Sequence, residues 1–188
     1  MIIKNQNQQK KLFFYLLSTL FLFSILFSCH RETVDIELEK KKAVDEYILK
    51  EEKSRQQKLD VIKKFYGVFS TGDFSVLPEI LAPDYTQFPA DPGQTPDIKG
   101  FIKHAEDFAS MFSDLKGAPS HILVDKNLVF VRSEIEVTHS GEAFTIPATN
   151  KRLKLTAFDL HHFNKEGKID KTWHLEDFYG AYTQIKAQ

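Results

Sequence analysis

The spacing of apolar residues changes once along this chain, at Gly117, and that change constrains the fold most strongly. Before it, apolar residues recur every three to four positions, as on one face of a helix. After it, apolar and polar residues alternate, as in strands with one buried face. Helices followed by strands predict an α+β domain whose helices cover one face of a curved, mainly antiparallel sheet.

Three helices are predicted before the change. The first begins near Leu59 and ends at Thr71-Gly72. A short one follows at 74–81, and an amphipathic one at 98–112 starts at a capping Asp97. Four prolines between 83 and 96 indicate a loop, with a brief strand at 85–88.

Four strands are predicted after the change. The first contains Ile122 and Val124, and the second spans 129–139. The third and fourth span 153–163 and 169–178, separated by a turn at 164–167.

The N-terminus reads as an export signal. Lys4, Lys10 and Lys11 precede an apolar run at 12–27 that closes with Leu-Phe-Ser-Cys at 26–29. This ending resembles the lipobox of bacterial lipoproteins, which implies cleavage after residue 28 and acylation of the Cys29 thiol. The mature protein would then be anchored to a membrane of the bacterial cell envelope, on its non-cytoplasmic side. An uncleaved membrane helix is the alternative, although such helices need about 20 apolar residues.

Residues 29–58 are dense in charge and contain no glycine or proline, which predicts a solvated tether with helical tendency. The folded domain is expected at 59–188. The formal net charge of −1 argues against a nucleic-acid partner. Cys29 is the only cysteine, so an internal disulfide is excluded.

Three segments resemble the SnoaL-like polyketide cyclases of the nuclear-transport-factor-2-like superfamily. They are Thr-His-Ser-Gly-Glu-Ala-Phe at 138–144, Pro-Ala-Thr-Asn-Lys at 147–151, and Gly-Lys-Ile-Asp-Lys-Thr-Trp-His-Leu-Glu-Asp at 167–177. Asn150 replaces a turn glycine of the family, and Gln87 or Phe88 stands where a histidine is common. The resemblance implies a cone-shaped fold with a pocket between sheet and helices. It also implies that Asp177 is the acid/base of ring closure on a small hydrophobic molecule. Such chemistry needs no metal or nucleotide, so no cofactor is expected.

The residues offer a separate argument for Asp177. Trp173, Leu175 and Asp177 share one strand face by alternation. A carboxyl group among apolar side chains is poorly solvated, which raises its pKa toward neutrality and suits it to proton transfer. The alternative is a strand-end carboxylate that caps a turn or pairs with a basic residue.

Other site candidates lie on the same predicted sheet. His139 is expected to point inward, where it would orient a substrate oxygen or polarise Asp177; a buried histidine bonded to a backbone carbonyl is the alternative. His161 and His162 alternate, so one of them faces the pocket, and Asp159 shares the side of His161. A metal cluster of His139, His161 and Asp159 lacks compact ligand spacing, so no metal is expected. Three aromatic residues are predicted to line the cavity, with core packing as the alternative: Tyr66, Tyr85 and Trp173.

Three functions therefore remain open from the sequence. The first is an acid/base cyclase or isomerase acting on a small apolar substrate. The second is a non-catalytic module that binds an apolar ligand. The third is a scaffolding lipoprotein that uses the exposed sheet face to form a homodimer or to bind another envelope protein, since one fold hosts many functions.

Overall fold

The computed structural model describes residues 2–90 and 93–187, except for the side chains at 2–13, 22–34 and 118. Cys29, the predicted lipidation site, therefore lies outside the described side chains. Helix α1 spans Ile2–Thr71 and includes the segment predicted as a helical tether. Internal contacts divide the chain into two units, Met1–Glu52 and Lys53–Gln188.

The first unit is helical and exposes apolar side chains. Ten of those described are more than half exposed: Phe14, Tyr15, Leu16, Leu17, Leu20, Phe21, Val44, Tyr47, Ile48 and Leu49. Over the described residues, no helix has both the length and the apolar character that crossing a bilayer requires. The charged residues at 35–50 are exposed throughout.

The second unit contains the remaining elements and confirms the predicted α+β class. They are a 3₁₀ turn at Phe74–Val76, α2 at Leu77–Ile80, β1 at Leu81–Phe88, α3 at Ile98–Met111, β2 at Phe112–Asp125, β3 at Leu128–His139, β4 at Arg152–Phe163, β5 at Ile169–Glu176 and α4 at Phe178–Lys186. Among the described residues the sheet has five strands in the order β1-β5-β4-β3-β2. Strands β2 to β5 form an antiparallel meander, and β1 joins its edge parallel to β5.

Three strand boundaries differ by two or more residues from the sequence prediction. Strand β1 begins at Leu81 and includes Pro83, which an edge strand tolerates because its missing N–H is not needed for pairing. Strand β2 begins at Phe112, before Gly117. Strand β5 ends at Glu176 because Asp177 caps a helix that the sequence prediction missed, accepting a 2.8 Å hydrogen bond from the Gly180 N–H.

The helices pack on one face of the sheet, called here the inner face. One buried cluster joins α1, α2, β1 and α3 to the inner face: its largest members include Ile62, Phe65, Leu77, Ile80, Leu81, Tyr85, Phe101 and Ile169. A second cluster lies toward α4 and contains Phe108, Phe112, Val137, Leu153, Leu155 and Ile185. Alternation along each strand supplies these residues from every second position.

The opposite, outer face carries a continuous apolar row across all five described strands. Register pairs align one residue from each strand: Phe88, Trp173, Leu160, Phe130 and Leu123. The Phe88 and Trp173 rings stack with centroids 6.4 Å apart. Trp173 is 42% exposed and Leu123 is 66% exposed, so no described residue covers much of this row.

Candidate active site

A cavity of about 70 Å³ lies between α1, α3 and the inner face of the sheet. Most of its wall is apolar and includes Phe65, Phe69, Phe101 and Phe108. The polar lining residues are Tyr66, Ser70, Gln87, His104, Ser133, Asp159, His174 and Glu176. A space of this size holds a few water molecules or a small chemical group.

Sheet register brings the polar residues together at one end of the cavity. Asp159 on β4 is the cross-strand partner of His174 on β5. Glu176, two residues further along β5, points to the same face and lies opposite Ala157. The small side chain of Ala157 leaves space for the carboxylate.

His174 lies between two buried carboxylates. Its Nδ1–H donates to Asp159 Oδ1 at 2.8 Å, and its Nε2 is 3.9 Å from Glu176 Oε2. The Asp159 and Glu176 side chains are only 5% and 3% exposed. Nε2 is buried and has no hydrogen-bond partner within the described part of the chain. The site therefore presents one unused imidazole nitrogen beside one buried carboxylate.

The charges of this cluster follow from their surroundings. Burial alone would lower the pKa of His174, but the hydrogen bond to Asp159 and the attraction to the Asp159 and Glu176 carboxylates raise it to about 10. Burial opposes ionisation of Asp159, yet the His174 hydrogen bond and charge hold the Asp159 pKa below its ordinary value. At neutral pH the cluster thus contains an Asp159 carboxylate bonded to a His174 imidazolium.

A second chain of hydrogen bonds supports Asp159 from behind. Tyr66 Oη lies 2.6 Å from Asp159 Oδ2 and 3.1 Å from His161 Nε2. Because a carboxylate only accepts, Tyr66 donates to Asp159 and accepts from the Nε2–H of His161. His161 Nδ1 must then accept from the Thr172 hydroxyl, 2.9 Å away. Burial lowers the pKa of His161 to about 4 and raises that of Tyr66, so both are neutral.

His104 completes the polar end of the cavity from the helix side. It lies on the buried face of α3 with Phe101, Ala105 and Phe108. Its ring is 5.5 Å from the ring of His174. Potential ligand atoms of His104, His174 and Glu176 all lie within 4.8 Å of one another, so these three residues could hold a metal ion.

The predicted burial of Asp177 is wrong. Trp173 and Leu175 do share one face, but it is the outer one, and Asp177 lies beyond the strand, exposed at the start of α4. The sequence alternative, a strand-end carboxylate that caps a turn, describes its position. The alternation was correct, and the choice of buried face was reversed, because the helices pack on the side that carries His174 and Glu176.

The other predicted residues divide between the cavity, the core and the outer face. Tyr66 lines the cavity. His161 lies on the inner face and is bonded to Tyr66, but it does not line the cavity. His139 points inward, but it does not line the cavity and is bonded through Nδ1 to the Thr149 hydroxyl at 2.9 Å. Tyr85 packs in the core, its hydroxyl 3.4 Å from Gln87 Oε1. Trp173 lies on the outer face, outside the cavity.

Sequence reasoning missed His104, His174 and Glu176 as site residues. The signal for two of them was the His-x-Glu pair at 174–176. Like the Asp-x-His pair at 159–161, it places two ionisable side chains on the same face of a strand. For His104 the signal was its place on the apolar face of an amphipathic helix. The metal set considered and set aside in the sequence, His139, His161 and Asp159, differs from the ligand cluster among the described residues, which contains none of the three; His139 is bonded to Thr149 instead.

Comparisons of the sequence with family models and of the fold with solved structures both point to SnoaL-like polyketide cyclases. Residues 59–185 match the SnoaL-like polyketide cyclase family. IdmH from Streptomyces antibioticus superposes with a TM-score of 0.62 at 25% identity, covering 70% of this chain and 99% of IdmH. TsrD from Streptomyces laurentii gives 0.61 at 23% identity, covering 72% and 96%. A SnoaL-like polyketide cyclase from Agrobacterium tumefaciens gives 0.57 at 16%, covering 68% and 97%. No curated protein matches the chain.

Proposed function

Because this chain belongs to the SnoaL-like polyketide cyclase family, we propose that its folded domain catalyses acid–base cyclisation or isomerisation of a small apolar carbonyl compound. One observation carries the proposal. The buried Glu176 carboxylate and the unpartnered His174 Nε2 lie 3.9 Å apart at the polar end of an otherwise apolar cavity. A base and a proton donor at this spacing can act on one carbonyl group and its neighbouring carbon.

The reaction begins with enolisation. The substrate carbonyl oxygen accepts a hydrogen bond from His174 Nε2–H, while Glu176 removes a proton from the adjacent carbon. The electron pair of the broken C–H bond forms the C=C bond of the enolate, the π pair of the carbonyl moves onto its oxygen, and the imidazolium holds the resulting negative charge. In ring closure the enolate carbon attacks a second carbonyl, whose oxygen takes the proton from Glu176. In isomerisation Glu176 returns the proton at another carbon.

Asp159 and Tyr66 act as positioning residues in this scheme. Asp159 fixes the ring of His174 through Nδ1 and keeps it protonated, which directs Nε2 toward the cavity. Tyr66 in turn holds the second oxygen of Asp159. Neither needs to touch the substrate, so substitutions at both act through the orientation and charge of His174.

The cavity also restricts the substrate. Its wall is largely apolar, and about 70 Å³ admits only the reacting end of a molecule rather than several fused rings. A compound whose small, otherwise apolar end carries a carbonyl group satisfies both conditions, the apolar wall and the small volume.

The test is proton exchange at a carbon next to a carbonyl. Phenylacetone, incubated with the full-length protein in D₂O, should lose its α-proton signal in NMR faster than in buffer. Glu176→Gln preserves shape and removes the base, so we expect exchange to fall by about 10²–10⁴-fold. Asp177→Asn retains a helix cap and should leave the rate nearly unchanged.

The outcomes separate the alternatives. Loss of exchange in Asp177→Asn with full activity in Glu176→Gln would overturn the assignment of the base. Saturable binding of phenylacetone without any exchange would favour the non-catalytic binding module.

We further propose that Cys29 is lipidated and tethers the domain to a membrane of the cell envelope. The basic start, the apolar run at 12–27 and the Leu-Phe-Ser-Cys ending support this, as does the charged helical segment between Cys29 and the domain. Metabolic labelling with an alkyne fatty acid in a bacterial host should mark the wild type and not Cys29→Ala. Equal labelling of both proteins would contradict the proposal.

A further inference from the structure

We propose that His104, His174 and Glu176 bind a divalent transition-metal ion, best matched by Zn²⁺, at the polar end of the cavity. The inference deepens the proposed function and rests on it, because the ion would lie where the substrate oxygen binds. It would polarise that oxygen in place of the His174 Nε2 proton, and Glu176, bound to the ion through one oxygen, would take the substrate proton with the other. This departs from the cofactor-free chemistry expected from the sequence.

The three side chains form a convergent donor set. His174 and Glu176 are two residues apart on β5 and share the inner face, while His104 approaches from α3. Ligand atoms of all three lie within 4.8 Å of one another, and the His174 Nε2 to Glu176 Oε2 distance is 3.9 Å. Bonds of about 2.0–2.1 Å in a tetrahedral site separate neighbouring donors by about 3.3 Å, so small side-chain rotations suffice.

The surroundings of His174 are those of a metal ligand. A ligating histidine usually donates its other ring N–H to a carboxylate, which fixes the ring and makes the ligand nitrogen more basic. Asp159 accepts from Nδ1 at 2.8 Å and is itself held by Tyr66. Nε2 is left buried and without a hydrogen bond among the described residues, directed at the same point as Glu176.

The number of ligands points to a catalytic rather than a structural site. Two histidines and one glutamate leave the fourth tetrahedral position vacant, as in zinc sites that bind water or substrate. Here that position would face the apolar cavity, whose wall is shared by all three residues.

The experiment uses full-length protein freed of metal with a chelator. Calorimetric titration with ZnCl₂ should show one ion per chain, and CoCl₂ should produce the visible absorption of tetrahedral Co²⁺. We expect affinity to fall at least about 100-fold in His104→Gln and Glu176→Gln, and by about 10–100-fold in Asp159→Asn. His162→Gln is the matched control, because His162 also bonds a carboxylate, Asp170, but away from the cavity. Circular dichroism establishes that each variant is folded.

A second readout does not depend on the variants. Zn²⁺ should raise the Tm of the metal-free wild type, with the logarithm of its concentration once the site is saturated, because a ligand of the native state stabilises it.

Each outcome decides between the two proposals. Absence of saturable Zn²⁺ binding to the wild type, or binding that is unchanged in both His104→Gln and Glu176→Gln, overturns the metal site. If the metal-free protein does not bind Zn²⁺ but still exchanges the α-protons of phenylacetone, the proposed function stands and this inference is overturned. Site-specific Zn²⁺ binding without any exchange, with or without the metal, upholds the site and overturns the function.

Discussion

On the inner face of β4 and β5 the central side chains are polar or charged and buried. On the outer face of the same two strands they are apolar and partly exposed. Asp159 and His174 form a direct cross-strand pair on the inner side, whereas their sequence neighbours Leu160 and Trp173 form one on the outer side. In proteins apolar side chains are usually buried and charged ones exposed, but at the centre of β4 and β5 the reverse holds.

The comparison shows what allows such an inversion. Charges can be buried on the inner face because each has a partner: His174 lies between two carboxylates, and Asp159 accepts from both His174 and Tyr66. The outer face needs no such pairing, since water contacts the apolar row at modest cost until another surface covers it. The proposed function requires the inner arrangement, because an apolar residue in place of Asp159 or His174 would remove the polar groups on which it depends.

The largest expected effect comes from breaking the inner pair. Asp159→Asn should lower the free energy of unfolding by about 3–5 kcal/mol, because it leaves the His174 charge buried without its main partner. Asp170→Asn, which breaks the more exposed pair with His162, should cost about 1 kcal/mol or less. Urea unfolding of both variants measures the difference. Equal costs would show that burial does not distinguish the two pairs.

The second prediction concerns pH. The pKa of His161 is lowered to about 4 in the folded chain. Between about pH 6.5 and pH 4, His161 is therefore protonated in the unfolded chain and neutral in the folded chain. Stability should therefore fall as pH decreases through this window, by up to about 3 kcal/mol. Urea unfolding at several pH values should show this loss in the wild type and not in His161→Gln.

A suitable control for this prediction is His121→Gln, since His121 is exposed on β2. That variant should retain the acid-induced loss of stability. An unchanged pH dependence in His161→Gln would contradict the assignment of the buried neutral histidine.

The smallest effect is expected on the outer face, where a second copy of the chain is the predicted partner. Trp173 is the only tryptophan, so its fluorescence reports directly on the apolar row. Homodimerisation should shift its emission to shorter wavelength as protein concentration rises. Leu123→Glu, at the far end of the row from Trp173, should abolish that shift while changing monomer stability by about 1 kcal/mol or less.

Tyr179→Glu provides the control for the outer face, because Tyr179 is 78% exposed on α4 and is not part of the row. It should leave the concentration dependence intact. Emission that does not change with concentration in the wild type would contradict the homodimer prediction.

Much of the fold was predictable because its signals are local. The helix at 98–112 follows from its apolar spacing and the Asp97 cap, and the structure places α3 at Ile98–Met111 with that cap. Strand β3 follows from alternation, with Val131 and Val137 buried as expected. The parallel pairing of β1 with β5 was not predictable, since it joins segments distant in sequence and places Pro83 within a strand.

The site was predictable only in part. Tyr66, Asp159 and His161 were assigned to the side on which the structure has them. The sequence predicts Asp177 in the cavity because it shares a strand face with the apolar residues Trp173 and Leu175, and such a face is usually buried. Those neighbours are on the outer face, and no property of the strand alone distinguishes an exposed apolar row from a buried one.

Residue types and their spacing were enough to establish which side chains of each strand share a face, where α3 begins, and the family to which the domain belongs. Tertiary structure alone decided which face is the interior. The physical reason is that a period of two is symmetric: it divides a strand into two sets without ranking them. Packing of α1 and α3 against one set, together with the register that pairs Asp159 with His174, made that set the wall of the cavity.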